Sequence, residues 1–206
     1  MKCYDKEKPL YCDNHILVLE KPAGVATQPD FHEMAKSWVK KTFAKPGNVF
    51  LEPIHRLDKP VKGLVLFART SKALSRMNEA MRERKIKKFY RARVEGIPEE
   101  KGTLKHFLTH GEYRAHIDSN GKEAILHFER LETIENASLV EIELETGRYH
   151  QIRAQFAAVG HPVLGDQKYG AKRKQDNIAL HHYKLTFPHP ITKEEITCQS
   201  SDVFFS

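Results

Sequence analysis

Asp58 sits where charged groups crowd a turn and an apolar run begins at once. The string is Ile54-His55-Arg56-Leu57-Asp58-Lys59-Pro60-Val61-Lys62-Gly63, followed by Leu64-Val65-Leu66-Phe67-Ala68. One carboxylate and two basic groups fall within four positions. A carboxylate so placed can act as a nucleophile or as a base, and both roles need its ionised form, which a nearby arginine favours. The plain alternative is an ordinary turn, since Asp bonds its own backbone and Pro cannot pair in a sheet. The five apolar residues after Gly63 read as a buried strand. A charged loop is thereby fixed to a core element, the usual way in which catalytic groups are presented.

Two further strings carry groups of the same kind. Lys88-Phe89-Tyr90-Arg91-Ala92-Arg93-Val94 alternates as a strand does, with Lys88, Tyr90, Ala92 and Val94 on one face. Thr146-Gly147-Arg148-Tyr149-His150-Gln151-Ile152-Arg153 leads into a helix ended by Gly160, with Tyr149, Ile152, Phe156 and Val159 on one face and Arg153 beside it. The 12 histidines raise the question of a metal. His181 and His182 are adjacent, so on a strand they face opposite ways, and no spacing suits zinc. The glutamates 141, 143 and 145 alternate with Val140, Ile142 and Leu144 and read as a solvent face. No metal is expected, and no phosphate-binding G-x-x-x-x-G-K-[ST] loop is present.

The elements that must position these groups follow from periodicity and punctuation. Residues 1–14 read as a short leader, and 15–206 as a single domain. His15 to Glu20 is a strand ended by Lys21-Pro22-Ala23-Gly24. Phe31 to Phe43 has helical spacing, with Met34, Trp38 and Phe43 near one face. Thr70 or Ser71 caps a second helix with a Leu74, Met77, Met81 stripe. From Gly102 to Glu145 the pattern is strand, with a turn at Asp118-Ser119-Asn120-Gly121 in which Gly121 takes a positive φ.

The chain has 206 residues, 40% hydrophobic and 30% charged, with a net charge of +7. These values fit a globular protein, and no apolar stretch of about 18 residues marks a membrane span. Cys3, Cys12 and Cys198 are odd in number and lack paired spacing, which suggests a reducing compartment, the cytoplasm by default. The positive charge clusters at Arg82, Arg84, Lys85, Lys87 and Lys88. Such a run is either a solvated face or a set of phosphate contacts.

Taken together, the strings resemble the RluA-type pseudouridine synthases. That family's signature runs H-R-L-D, a short turn, then G-L-L-L-F-A-K, and places its essential Asp at the position of Asp58. Its opening K-P-x-G matches Lys21 to Gly24, and its second motif, K-x-Y-x-A-x-V-x-G, matches Lys88 to Gly96. Its third, T-G-R-x-H-Q-I-R followed by G-x-P-I-x-G-D and Y-G, matches Thr146 to Gly170. Its last, L-H-A-x-x-L then H-P, matches Leu180 to Pro190. Four departures stand out: Val61-Lys62 where Thr-Ser is usual, Tyr149 for a common Thr, Gln155 for a common His, and His182 for a small residue.

The resemblance implies an α+β fold on a mixed, largely antiparallel central sheet with flanking helices and loops. It is to the catalytic domain only, without the N-terminal RNA-binding domain of many relatives. It implies isomerisation of uridine to pseudouridine in transfer or ribosomal RNA, with no cofactor and no metal. Asp58 is then the catalytic carboxylate, Arg153 its partner, and Tyr90 the ring stacked on uracil, with Ile152 and Leu180 lining the base slot. His55, Arg56, Arg84, Lys85 and Lys88 are assigned to RNA, Arg56 as the residue that fills the stack when a base is flipped out. DNA and membrane partners are not expected, and the chain is expected to be a monomer. Two alternatives remain at this point: an inactive RNA-binding protein of the same fold, and a carboxylate-based nucleosidase or glycosidase. The latter ordinarily needs two paired carboxylates.

Overall fold

The structure is a computed structural model that describes residues 8–201. The chain divides into two compact units: Met1–Ile86 with Tyr183–Ser206, and Lys87–His182. The strand pairings described below are antiparallel. Three α-helices accompany the strands among the described residues, so the fold is α+β.

In the first unit, β1 (Tyr11–Cys12), β2 (Ile16–Lys21) and β4 (Lys62–Ala68) are neighbours in that order, and β3 (Glu52–Pro53) also pairs with β4. All six residues of β2 are buried, as are Gly63 to Ala68 of β4. Both strands are covered on both faces, which explains why they read as unbroken apolar runs rather than alternations. One face packs against α2 (Ser71–Arg82), where Ile16, Val18, Leu64 and Leu66 meet Ala73, Met77, Leu185 and Phe187. Burial of each of the larger side chains is worth roughly 1.5–3 kcal/mol. On the other face lies Phe67, in ring contact with Phe31 and His32 at the start of α1 (His32–Thr42).

The α2 cap forms as the sequence predicts, with Thr70 Oγ1 accepting from the Ala73 amide at 3.1 Å. The face expected for α1 does not form. Ala35 and Val39 are buried with Phe31 and His32, while Met34 and Trp38 are only half-buried and Phe43 is exposed. Trp38 instead meets Phe43 edge-on. The leader is partly structured. Residues 1–7 lie outside the described residues, but Tyr11–Cys12 forms a strand and Asp13 accepts from the His15 and Ile16 amides.

The second unit is a meander of β5 (Lys87–Glu95), β6 (Lys101–His110), β7 (Ala115–Ile117), β8 (Lys122–Ile134) and β9 (Ala137–Leu144), in the order β5-β9-β8-β6-β7. The alternation predicted for β5 is observed, with Lys88, Tyr90, Ala92 and Val94 buried. In the turn before β8, Gly121 is not among the positive-φ glycines. Its need is space: an added Cβ would lie 2.5 Å from the Leu108 backbone. The helix α3 (Gln151–Ala158) also departs from expectation. Residues 151–156 are all buried, while Tyr149 and Val159, placed on its apolar face by periodicity, are exposed. Polar Gln151, Arg153 and Gln155 are buried because each has partners, described below. The strand β10 (Leu180–Pro188) starts in this unit and ends in the first, where it pairs with β11 (Glu195–Gln199).

Candidate active site

In the first unit the Asp58 loop is held at several points. The Leu57 amide donates to Thr27 Oγ1 at 3.0 Å, and that hydroxyl donates to the Leu57 carbonyl at 2.8 Å. The Val61 amide donates to the Asp58 carbonyl, closing the turn at 3.0 Å, and Gly24 N–H donates to the Lys59 carbonyl at 2.9 Å. Asp58 and His55 are half-buried and Arg56 is exposed. His55 Nε2 lies 3.3 Å from the Leu66 amide, which ties the loop back to β4.

The unusual pair Val61-Lys62 is accommodated in this unit. Val61 is buried in the core, and Lys62 Nζ is 3.8 Å from Glu20 Oε1, which also accepts from Ser200 Oγ at 3.1 Å. The turn therefore keeps its form by apolar packing and an ion pair.

Lys21 is a site residue that composition and spacing did not single out, although it stands in the K-P-x-G string. It is fully buried, and its ammonium donates to the carbonyls of Val25 (2.7 Å), Pro22 (2.9 Å) and Lys59 (3.3 Å). Burial lowers its pKa to about 8, while the Asp58 carboxylate works the other way and favours the charged amine. By the same attraction, the amine supports Asp58 as a carboxylate.

The second unit holds Tyr90, Ile152, Arg153 and Leu180, all buried. Tyr90 stacks on His182, with ring centroids 4.6 Å apart and planes at 22°. His182, which departs from the family pattern, thus backs the ring assigned to uracil. Arg153 makes a two-pronged ion pair with Asp166, Nε to Oδ2 at 2.6 Å and Nη2 to Oδ1 at 2.9 Å, with both side chains at most 4% exposed. Its guanidinium also lies 5.1 Å from the Tyr169 ring centroid. Asp166 belongs to the G-D string, and sequence reading gave it no role.

The string before Arg153 is locked by side-chain bonds. Gln151 Oε1 accepts from Thr146 Oγ1 (2.8 Å) and from the Arg148 amide (2.9 Å), and its amide nitrogen donates to the Ile125 carbonyl at 3.0 Å. Gln155 donates to the carbonyls of Leu104 (3.0 Å) and Ala124 (3.1 Å). His150 holds a left-handed φ of 51° and lies 3.0 Å from the Tyr169 hydroxyl. Burial, reinforced by the Arg153 and Lys168 cations, pushes its pKa down to about 3.

The basic run separates into two kinds of residue. Arg82, Arg84, Lys85 and Lys87 are exposed, with Lys85 2.7 Å from Glu83. Lys88 does not belong with them. It is 8% exposed, and burial lowers its pKa. The strand turns it to the Tyr90 face, so it is not part of the solvated run. Among the described residues, no group of three or more His, Cys, Asp or Glu side chains is arranged to hold a metal.

The sequence model for RNA pseudouridylate synthases matches residues 15–158, a span that includes Asp58, Tyr90 and Arg153. The chain belongs to the RNA pseudouridylate synthase family. The dual-specificity RNA pseudouridine synthase RluA of Haemophilus influenzae is 36% identical over 208 residues, covering 95% of this chain and 93% of that protein. The RNA pseudouridine synthase YhcT of Bacillus subtilis is 35% identical, covering 93% of this chain and 67% of its own. The structure superposes on human RNA pseudouridylate synthase domain containing 1 with a TM-score of 0.81 and 25% identity, over 100% of this chain and 88% of that one. This pseudouridine synthase is of the RluA type, and its activity is that of an isomerase.

Proposed function

We propose that this pseudouridine synthase acts on uridine in transfer or ribosomal RNA, with Asp58 as the reacting carboxylate. The observation that carries the reading is the Asp58 loop, pinned to Thr27 and β4 and electrostatically matched to the buried Lys21 ammonium. Two relatives support an RNA substrate by name: a dual-specificity RNA pseudouridine synthase, and the ribosomal large subunit pseudouridine synthase C of Buchnera aphidicola, 32% identical over 202 residues.

In the reaction, the bond from nitrogen-1 of uracil to the ribose breaks, the base turns, and carbon-5 joins the sugar. Asp58 serves in its ionised form, by attack on the sugar or by removal of a sugar proton. Tyr90, braced by His182, stacks on the uracil and assists proton removal from carbon-5, and Ile152 and Leu180 line the apolar slot. Arg153, aligned by Asp166, supplies positive charge. Arg56, exposed beside the loop, fills the stack when the uridine leaves it, as chemistry on a stacked base requires. Arg84 and Lys85 contact the RNA backbone and His55 orients the loop against RNA. Residues 15–206 act as one catalytic domain, a cytoplasmic monomer.

The test is a comparison of pseudouridine maps of total RNA from cells with and without the gene. Loss of pseudouridine at one or a few positions of transfer or ribosomal RNA is the expected result. Identical maps, together with no conversion of those RNAs by the purified protein, would overturn it.

A further inference from the structure

A cavity of about 500 Å³ lies in the second unit, lined by residues from β6, the turn before β8, and the loop leading into α3. Its size is that of a small-ligand pocket. Its lining combines aromatic rings with cations: His110, Tyr149, Arg148 and Lys122, with Asn120 and Gly147 between them. None of these six residues has a part in the chemistry proposed above.

Three observations point to what the cavity takes. Tyr149, at 39% exposed, stacks on His150 at 3.8 Å and 18° and meets His110 at 4.1 Å and 53°. An exposed tyrosine held flat by a ring behind it is a surface for a nucleobase, since bases splayed from RNA stack on aromatic side chains. His150 is kept neutral by burial and by the Arg153 and Lys168 cations, so it backs the tyrosine without adding charge at neutral pH.

The cations make the second observation. Arg148 uses Nε on the Glu123 carbonyl at 2.9 Å, and among the described residues its terminal nitrogens and the Lys122 ammonium have no hydrogen-bond partner. The carboxylates close in sequence have other ties: Glu123 is 2.8 Å from Lys105, and Asp118 accepts from the Asn120 amide at 2.9 Å.

The third is Lys88. Its side chain is 92% buried, and among the described residues its ammonium has no hydrogen bond or ion pair. A Cβ added to Gly147, on the cavity wall, would lie 3.0 Å from Lys88 Nζ. A buried ammonium left without a partner is costly, and behind the Gly147 wall it adds positive potential to a cavity already lined by Arg148 and Lys122.

We infer that this cavity is a second nucleotide subsite: it takes a nucleotide of the substrate RNA other than the reacting uridine, its base on Tyr149 and His110 and its phosphate at Arg148 and Lys122. The inference rests on the RNA-modifying reading of the chain. Tyr149, which stands where the family commonly has Thr, makes the subsite a feature of this chain's own sequence and a determinant of which RNA it accepts.

The test uses hexa-adenylate, an RNA with no uridine to enter the reacting slot, and the full chain. Hexa-adenylate is expected to move the His110 and His150 imidazole signals in NMR. Tyr149→Ala should weaken its binding about fivefold or more, as loss of one base–aromatic stack does, while Tyr149→Phe keeps it. Replacing Arg148 and Lys122 together by Gln should flatten the salt dependence by roughly one to two units. Equal affinity in Tyr149→Ala overturns the subsite, and so does tripolyphosphate moving the same signals as far as hexa-adenylate does, which would mark a site for anions alone. Conversion of a target RNA by a chain that does not bind hexa-adenylate defeats the subsite and leaves the isomerase standing. Binding at Tyr149 without conversion of any RNA supports the subsite and removes the isomerase.

Discussion

Arg153 and Asp166, 13 residues apart, form a buried two-pronged ion pair at 2.6 and 2.9 Å. The planar fork of a guanidinium matches a carboxylate in a way an ammonium does not. Taking Asp166 away leaves a buried cation, which costs roughly 3–5 kcal/mol. Asp166→Ala should therefore lower the urea midpoint sharply. Arg153→Lys should keep most of the affinity for RNA but lose most of the rate, because it keeps the charge and loses the alignment. An Asp166→Ala variant of unchanged stability would show that this pair does not anchor α3.

His150 gives an acid-side signature. Its pKa is lowered from 6.5 to about 3 in the folded chain. Between those values the unfolded chain binds the extra proton, so stability falls as pH drops through that window, by roughly 1.4 kcal/mol per unit at most. Replacing His150 with Asn, which tolerates the left-handed φ of 51°, should reduce that slope in urea titrations at pH 6, 5 and 4. The same slope in the variant would assign the acid sensitivity to other groups.

The elements around the site were legible in the sequence to different degrees, for physical reasons. The strand β5 was read correctly because one face is buried and the other is not, so alternation survives. That alternation also places Lys88 inward with Tyr90, yet its charge and its neighbours grouped it with the exposed run. The α1 face was misread because small Ala35 and a buried His32 carry the contact while larger Met34 and Trp38 do not. Spacing does not encode partners such as Asp166 for Arg153, or Glu20 for Lys62, which are set by tertiary packing. Burial of Lys21 was equally hidden, since a lysine before a proline reads as a turn.

Arg84 and Lys85 are exposed beside buried Ile86, which fixes their backbone. If both neutralise phosphate, replacing them together with Gln should flatten the slope of log affinity against log salt by roughly one to two units. An unchanged slope would make this run a solvated face.

Arg56 is exposed next to the half-buried Asp58. Arg56→Ala should slow conversion of a uridine within a folded stem-loop more than of one in an unstructured oligonucleotide, since only the former must leave a stack. Equal slowing of both would give Arg56 a structural role instead.

The central claim is that Asp58 performs the chemistry. Asp58→Asn keeps the side chain's size and hydrogen-bonding shape and removes its charge. The direct measurement is pseudouridine formation by this variant on the RNA identified by mapping, beside RNA affinity and thermal midpoint. The account predicts no detectable turnover with affinity and midpoint close to those of the unaltered chain. It also predicts that adding Arg153→Lys makes little further difference, because groups that act as a unit are not additive. Full turnover by Asp58→Asn would contradict the assignment of the reaction to this loop.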